Sequence, residues 1–118
     1  MSKFKISYNS TEYRFNLHAD NGEIIGRSSE GYSSKQSCLN GINSVILNSD
    51  ANIIDKTSGE EASGSRYEIF YGKDDNYWFR LLAANGENIL YSQSYITKQS
   101  CKDGISSVKI NAPKAAIE

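Results

Sequence analysis

The chain repeats itself, and this constrains its fold more than any other feature. Lys35-Gln36-Ser37-Cys38 recurs as Lys98-Gln99-Ser100-Cys101, and Asn21-Gly22-Glu23 recurs as Asn85-Gly86-Glu87. Tyr13, Phe15, Leu17 and Ala19 return as Tyr77, Phe79, Leu81 and Ala83, and Gly41, Ile42, Ser44, Val45 and Asn48 return as Gly104, Ile105, Ser107, Val108 and Asn111. Roughly twenty of about fifty aligned positions are identical, too many for chance, so the copies arose by duplication. A unit of about fifty residues makes only a marginal core alone. Two such units in one chain of 118 residues can merge their sheets and share a core.

Within each copy the apolar spacing changes period. Phe4, Ile6 and Tyr8 alternate with polar residues, as do Tyr13, Phe15, Leu17 and Ala19, which predicts two half-buried strands. Asn21-Gly22 then predicts a tight type I′ turn into a third strand starting at Ile24. Cys38, Gly41, Ile42 and Val45, like Cys101, Gly104, Ile105 and Val108, fall at i, i+3, i+4 and i+7, the spacing of one helical face. Ser34 and Thr97 are the expected N-caps. A glycine in mid-helix costs about 1 kcal/mol against alanine, so its recurrence predicts close packing there. Asn52–Asp55 predicts a fourth strand, and Ala115–Ile117 a shorter equivalent.

The organisation expected is one pseudo-twofold α+β domain over 1–118, with a first repeat at 3–56, a linker at 57–65 and a second repeat at 66–118. Thr57–Ser65 is polar and Gly/Ser-rich, so it reads as a flexible linker. The two copies are expected to merge their strands into one antiparallel sheet with both helices on one face.

Several residues carry a further resemblance. The Asn-Gly-Glu hairpin, the run Glu30-Gly31-Tyr32-Ser33-Ser34-Lys35 and the pairs Gly41-Ile42 and Gly104-Ile105 resemble the YegP-like family of small, mostly bacterial proteins without assigned function. The similarity covers nearly the whole chain outside the linker. It implies two β3-α-β units sharing one antiparallel sheet, with the C-terminal strand of each swapped into the other. Single-repeat relatives would reach the same arrangement by dimerising, so a monomer is expected here. The resemblance supplies no catalytic or binding residues. The second copy departs from it at Ser94-Tyr95-Ile96-Thr97, which lacks the glycine of the first, and its closing strand is short at Glu118.

Composition narrows the function. Lys+Arg is 13 against Asp+Glu 14, a net charge of −1, which argues against a strongly basic nucleic-acid binder. No apolar run approaches the ~20 residues of a membrane helix. The chain enters a strand pattern directly after Met1-Ser2-Lys3, so neither signal peptide nor membrane association is expected and the setting expected is cytoplasmic. One histidine and two separated cysteines cannot build a four-ligand zinc site, and no cofactor motif occurs.

Three candidate chemistries remain. Cys38 and Cys101 are thiols near helix starts, where the dipole lowers a thiol pKa, but both sit on the apolar stripe and read first as core residues. His18 falls in the outward phase of its strand and reads as a surface residue, and Asp74-Asp75 reads as a turn. The best lead is the sheet face away from the helices. Strand phase places Lys5, Arg14, Asn16 and His18 there in the first copy, and Glu68, Phe70, Trp78, Arg80 and Leu82 in the second. Phe70, Trp78, Arg80 and Leu82 are the candidate interaction surface. The expected function is a non-catalytic interaction module for an unknown protein or peptide. The alternatives are single-stranded nucleic-acid binding by that face and a thiol-dependent enzyme.

Overall fold

The computed structural model describes residues 1–118. The first half runs β1 (Lys3–Tyr8), β2 (Tyr13–His18), β3 (Ile24–Arg27), α1 (Lys35–Asn48) and β4 (Asn52–Asp55). The second runs β5 (Arg66–Tyr71), β6 (Tyr77–Leu82), β7 (Asn88–Tyr91), α2 (Lys98–Asn111) and β8 (Ala116–Ile117). All eight strands join in one sheet, ordered β4-β5-β6-β7-β3-β2-β1-β8. The strand after each helix thus pairs with the first strand of the other half. No helix is long and apolar enough to cross a membrane.

The sheet is mixed, which corrects the expectation of an antiparallel one. Its inner pairings are antiparallel, but β4 lies parallel to β5 and β8 parallel to β1. Parallel neighbours cannot be joined by a tight hairpin. Here β4 and β5 are joined through 56–65, and β1 and β8 come from opposite ends of the chain. The segment between β4 and β5 begins as ordered structure: Lys56–Ser58 form a 3-10 turn whose Thr57 N–H donates to the Asp55 carboxylate at 2.9 Å.

The hairpins differ from the predicted type I′ turn. Ala19 N–H donates to the Glu23 carbonyl and Gly22 N–H to the Ala19 carbonyl, and only Gly22 has positive φ, at 88°. This is a three-residue loop, a type I turn closed by a left-handed glycine, and Ala83–Glu87 repeats it with Gly86 at 87°. The register then slips by one residue, so His18 pairs with Ile24 while Leu17 pairs with Gly26. The bulged residue Ile25 joins the core, as does its counterpart Ile89.

Both helices are capped as expected. Ser34 Oγ accepts the Ser37 N–H at 3.1 Å, and Thr97 Oγ1 accepts the Ser100 N–H at 3.0 Å. Cys38, Ile42 and Val45 of α1 and Cys101, Ile105 and Val108 of α2 join Phe4, Phe15, Leu17, Tyr67, Ile69, Phe79 and Leu81 in one buried cluster. One core therefore lies between one sheet face and both helices. The aromatic packing is duplicated: Phe4–Phe15 and Tyr67–Phe79 meet edge to face at 5.9 and 6.0 Å. The helical glycines do pack closely, against tyrosines. A Cβ on Gly41 would lie 2.3 Å from the Tyr32 hydroxyl, and one on Gly104 2.2 Å from that of Tyr95.

The two halves meet where β3 pairs with β7 through Arg27 and Tyr91. These residues are counterparts, so the local twofold passes between them. Here the halves differ. A Cβ on Gly26 would lie 2.8 Å from the Leu90 side chain, and Leu90, the counterpart of Gly26, is fully buried. Two leucines would collide across the axis, and two glycines would leave a void. Gly26→Leu and Leu90→Gly should each lower stability in urea unfolding, the second by about 3–5 kcal/mol. The double exchange should recover at least about 1 kcal/mol of the summed loss, because it restores one leucine at the axis.

Candidate functional site

Strand alternation places a second set of side chains on the face opposite the helices. Register aligns Lys5, Asn16, Arg27, Tyr91, Arg80, Glu68 and Ile54 in one row across seven strands. Neighbours in such a row stand roughly 4.8 Å apart. Arg14 and His18 flank it in the first half, Trp78, Phe70 and Arg66 in the second.

All four arginines of the chain, Arg14, Arg27, Arg66 and Arg80, lie on this face. Lys3 and Lys5 add to them, and Glu68 is the one acid within the strands on this side. Glu12 reaches Arg14 at 2.9 Å and Glu118 lies 3.8 Å from Lys3, so with Arg66 and Arg80 held by Glu68 the cations left without an acidic partner on this face are Arg27 and Lys5.

The expected residues are present, but not as a free apolar patch. Leu82 is buried, with 7% of its surface exposed, which corrects its placement on an open surface. Glu68 is also buried, because Arg66 and Arg80 each reach its carboxylate at 2.8 Å. The Arg80 guanidinium lies 4.8 Å from the Phe70 ring centre, so Phe70 is half-covered. Trp78 is half-buried and donates from Nε1 to Asp74 Oδ1 at 3.0 Å, lying over the turn that Asp74 and Asp75 form. The second half thus holds its aromatics in a satisfied polar network. Arg27 is exposed and makes no ion pair.

Sequence reasoning missed Arg27 and Tyr91 because the bulge at Ile24-Ile25 and at Asn88-Ile89 resets the alternation just before them. It missed Arg66 because that residue adjoins the segment read as linker. His18 sits on the polar face as expected, with Nδ1 3.2 Å from the Gly22 carbonyl.

The thiols lack the exposure that a nucleophile needs. Cys38 and Cys101 are both fully buried. Burial raises the Cys38 thiol, and it pushes Cys101 up to about 12, with the Asp55 charge adding to the effect. Burial thus disfavours the thiolate at both positions. Labelling of the folded protein by a disulfide reagent at pH 7.5 should proceed only at the rate of global unfolding and become fast in denaturant. Rapid labelling of the native state would restore the thiol reading.

Glu68 makes stability depend on pH. Burial alone would raise its carboxyl, but hydrogen bonds from Arg66 and Arg80 outweigh this and hold it below its ordinary value of 4.5. A carboxylate lowered in the folded state contributes stability above that value and loses it as pH falls. The urea midpoint should drop as pH falls through and below 4.5, and Glu68→Gln should flatten that dependence.

Comparison with known proteins places this arrangement. The family model described as a domain of unknown function (DUF1508) matches residues 9–55 and again residues 73–118. A UPF0339 protein of Bordetella pertussis is 42% identical over 112 residues, 95% of this chain and 89% of the relative. The UPF0339 protein YegP of Escherichia coli O6:H1 is 40% identical over 116 residues, 98% of this chain and 94% of the relative. The solution NMR structure of yegP from E. coli, a protein of unknown function, superposes with a TM-score of 0.80 at 37% identity, covering 99% of this chain and 90% of that one. That of the UPF0339 protein SO3888 from Shewanella oneidensis gives 0.78 at 33% identity, covering 99% and 89%. The chain therefore belongs to the UPF0339 (DUF1508) family, whose domain model it matches twice.

Proposed function

We propose that this protein is a non-catalytic interaction module whose docking surface is the sheet face opposite the helices, and that its partner is an acidic protein or peptide segment. The observation that carries this reading is the gathering of every arginine on one face of a chain with net charge −1. Arg27 is the centre of the surface, exposed, unpaired and beside the halves' local axis. Arg66 and Arg80 are partly spent on Glu68, so recognition centres on Arg27, Lys5 and the edge of Tyr91.

The tandem arrangement supports a monomer in which duplication replaces dimerisation. Two unpaired, buried thiols fit a reducing, cytoplasmic compartment. A second reading, single-stranded nucleic-acid binding, is favoured by Trp78 and Tyr91 standing beside Arg80 and Arg27 in register. Aromatic stacking at about 1–3 kcal/mol per base would then add to phosphate pairing.

Anisotropy titrations with a fluorescein-labelled oligoglutamate and with labelled oligo(dT), at 50 and 300 mM NaCl, test both readings. The first predicts oligoglutamate binding that weakens with salt and falls at least tenfold in Arg27→Glu, by the loss of one charge contact and the gain of one repulsion. Tighter binding of oligo(dT), with quenching of Trp78, would select the second reading. Binding to neither probe, or binding indifferent to Arg27→Glu, would overturn the assignment of this face.

A further inference from the structure

Each half closes a pocket against the other, and the two pockets match residue for residue. The first, of about 220 Å³, lies between α1 and the β6–β7 turn, where Tyr32, Ser37, Gly41 and Ser44 meet Glu87 and Ile89. The second, of about 250 Å³, lies between α2 and the β2–β3 turn, where Tyr95, Ser100, Gly104 and Ser107 meet Glu23 and Ile25. Every one of these positions is identical in the two copies. The turns do not require the glutamate side chains, since Glu23 and Glu87 serve them through backbone N–H and carbonyl groups alone. Exposed positions nearby diverge, with Ser33 against Ile96.

Each pocket also keeps two carboxylates, by different means. Glu30 joins Glu87 in the first. Its counterpart in the second is Gln93, but there Asp103 stands where the first has Asn40. None of Glu23, Glu30, Glu87 and Asp103 forms an ion pair, and no lysine, arginine or histidine lines either pocket. The charges bear on the tyrosines. Burial raises the Tyr32 phenol and the Glu30 and Glu87 charges add to this, while Tyr95 is raised by burial with Glu23 adding. The wall of the first pocket also holds Asn88, whose Oδ1 is buried and accepts no hydrogen bond. A buried acceptor calls for a donor. Its counterpart in the second pocket's turn is Ile24, which has none to offer.

The lining is thus negative, rich in acceptors, and backed by a tyrosine ring and an isoleucine. That set suits a positive group with several N–H donors on an aliphatic stem. It does not suit a bare divalent ion, which takes about six or more oxygens in a tight shell. The chain holds no cluster of three or more His, Cys, Asp or Glu residues that could supply one.

We propose that these pockets bind alkylammonium groups, as carried by a small diamine or by a lysine side chain. The carboxylates pair with the cation, and the tyrosine–isoleucine wall covers the methylene stem. The first pocket binds more tightly, because Asn88 Oδ1 gains a donor there. Both pockets lie on the helix side of the sheet, so the proposal does not rest on the reading of the opposite face.

The test is an amide-NMR titration of the isotope-labelled full chain, at matched ionic strength, with diaminobutane, with lysine blocked at its backbone amine and carboxyl, with uncharged butanediol and with magnesium chloride. Saturable shifts from the amines are expected first at Ser37, Gly41, Ser44 and Glu87, then at Ser100, Gly104, Ser107 and Glu23. Lys5, Phe70 and Trp78 on the opposite face should not move, and butanediol should have no effect. Glu87→Gln should weaken binding at the first set about fivefold and leave the second unchanged, and Glu23→Gln the reverse, the worth of one partly exposed charge pair. Both glutamates are exposed, so spectra away from the pockets should show that the variants fold. Tighter binding of the blocked lysine would support a seat for a partner's side chain, and tighter binding of diaminobutane a seat for a free amine. Absence of saturable shifts at millimolar amine, equal shifts with butanediol, or indifference to both substitutions would overturn the proposal. So would stronger shifts from magnesium at the same amides, which would assign the pockets to a metal ion.

Discussion

Everything in this structure depends on reciprocal strand pairing between the halves. β4 leaves the first half to pair with β5, and β8 leaves the second to pair with β1. Neither half retains the strand that follows its own helix. The cluster beneath the helices draws residues from both halves, and Ile53 of β4 packs against it. A fifty-residue unit makes only a marginal core alone, and this geometry lets the two halves share one. At the axis counterpart side chains approach one another, and Leu90 fills the space that Gly26 leaves.

Shared core and separate faces evolve under different constraints, and the duplication displays both. Facing the helices, the halves barely differ: Phe15 and Phe79, Leu17 and Leu81, Cys38 and Cys101, Ile42 and Ile105. On the opposite face they diverge, with Lys5 against Glu68, Asn16 against Arg80, Arg14 against Trp78 and His18 against Leu82. Close packing tolerates little change of volume, whereas a solvated face tolerates much. The divergence left a Glu68-centred network in one half and an unpaired Arg27 at the join.

Much of the fold was legible in the residues because each element carried its own period and its own caps. Ser34 and Thr97 announce the helices, and the alternation in Phe4–Tyr8 and Tyr13–Ala19 announces the strands. What was not legible required register. The parallel sense of β4 and β8 leaves no local mark, since a short apolar run reads alike in either direction. The bulges at Ile25 and Ile89 hide the phase of the following strand, so Arg27 and Tyr91 passed unnoticed. Leu82 reads as exposed by phase, and Glu68 reads as a surface acid until Arg66 and Arg80 are seen to close over it. The aromatic residues were placed on the correct face, but their availability depends on contacts with Asp74 and Arg80 that no spacing rule contains.

The central claim is that strand pairing across the halves makes them one cooperative unit. Native-state hydrogen exchange in low urea tests it most directly, by comparing amides of β2, at Phe15 and Leu17, with those of β6, at Phe79 and Leu81. The account predicts a single opening free energy and a single urea dependence for both sets, because neither half can open without stripping an edge strand from the other. Two distinct opening energies, with one half still protected while the other exchanges, would contradict it and show that each half carries a core of its own.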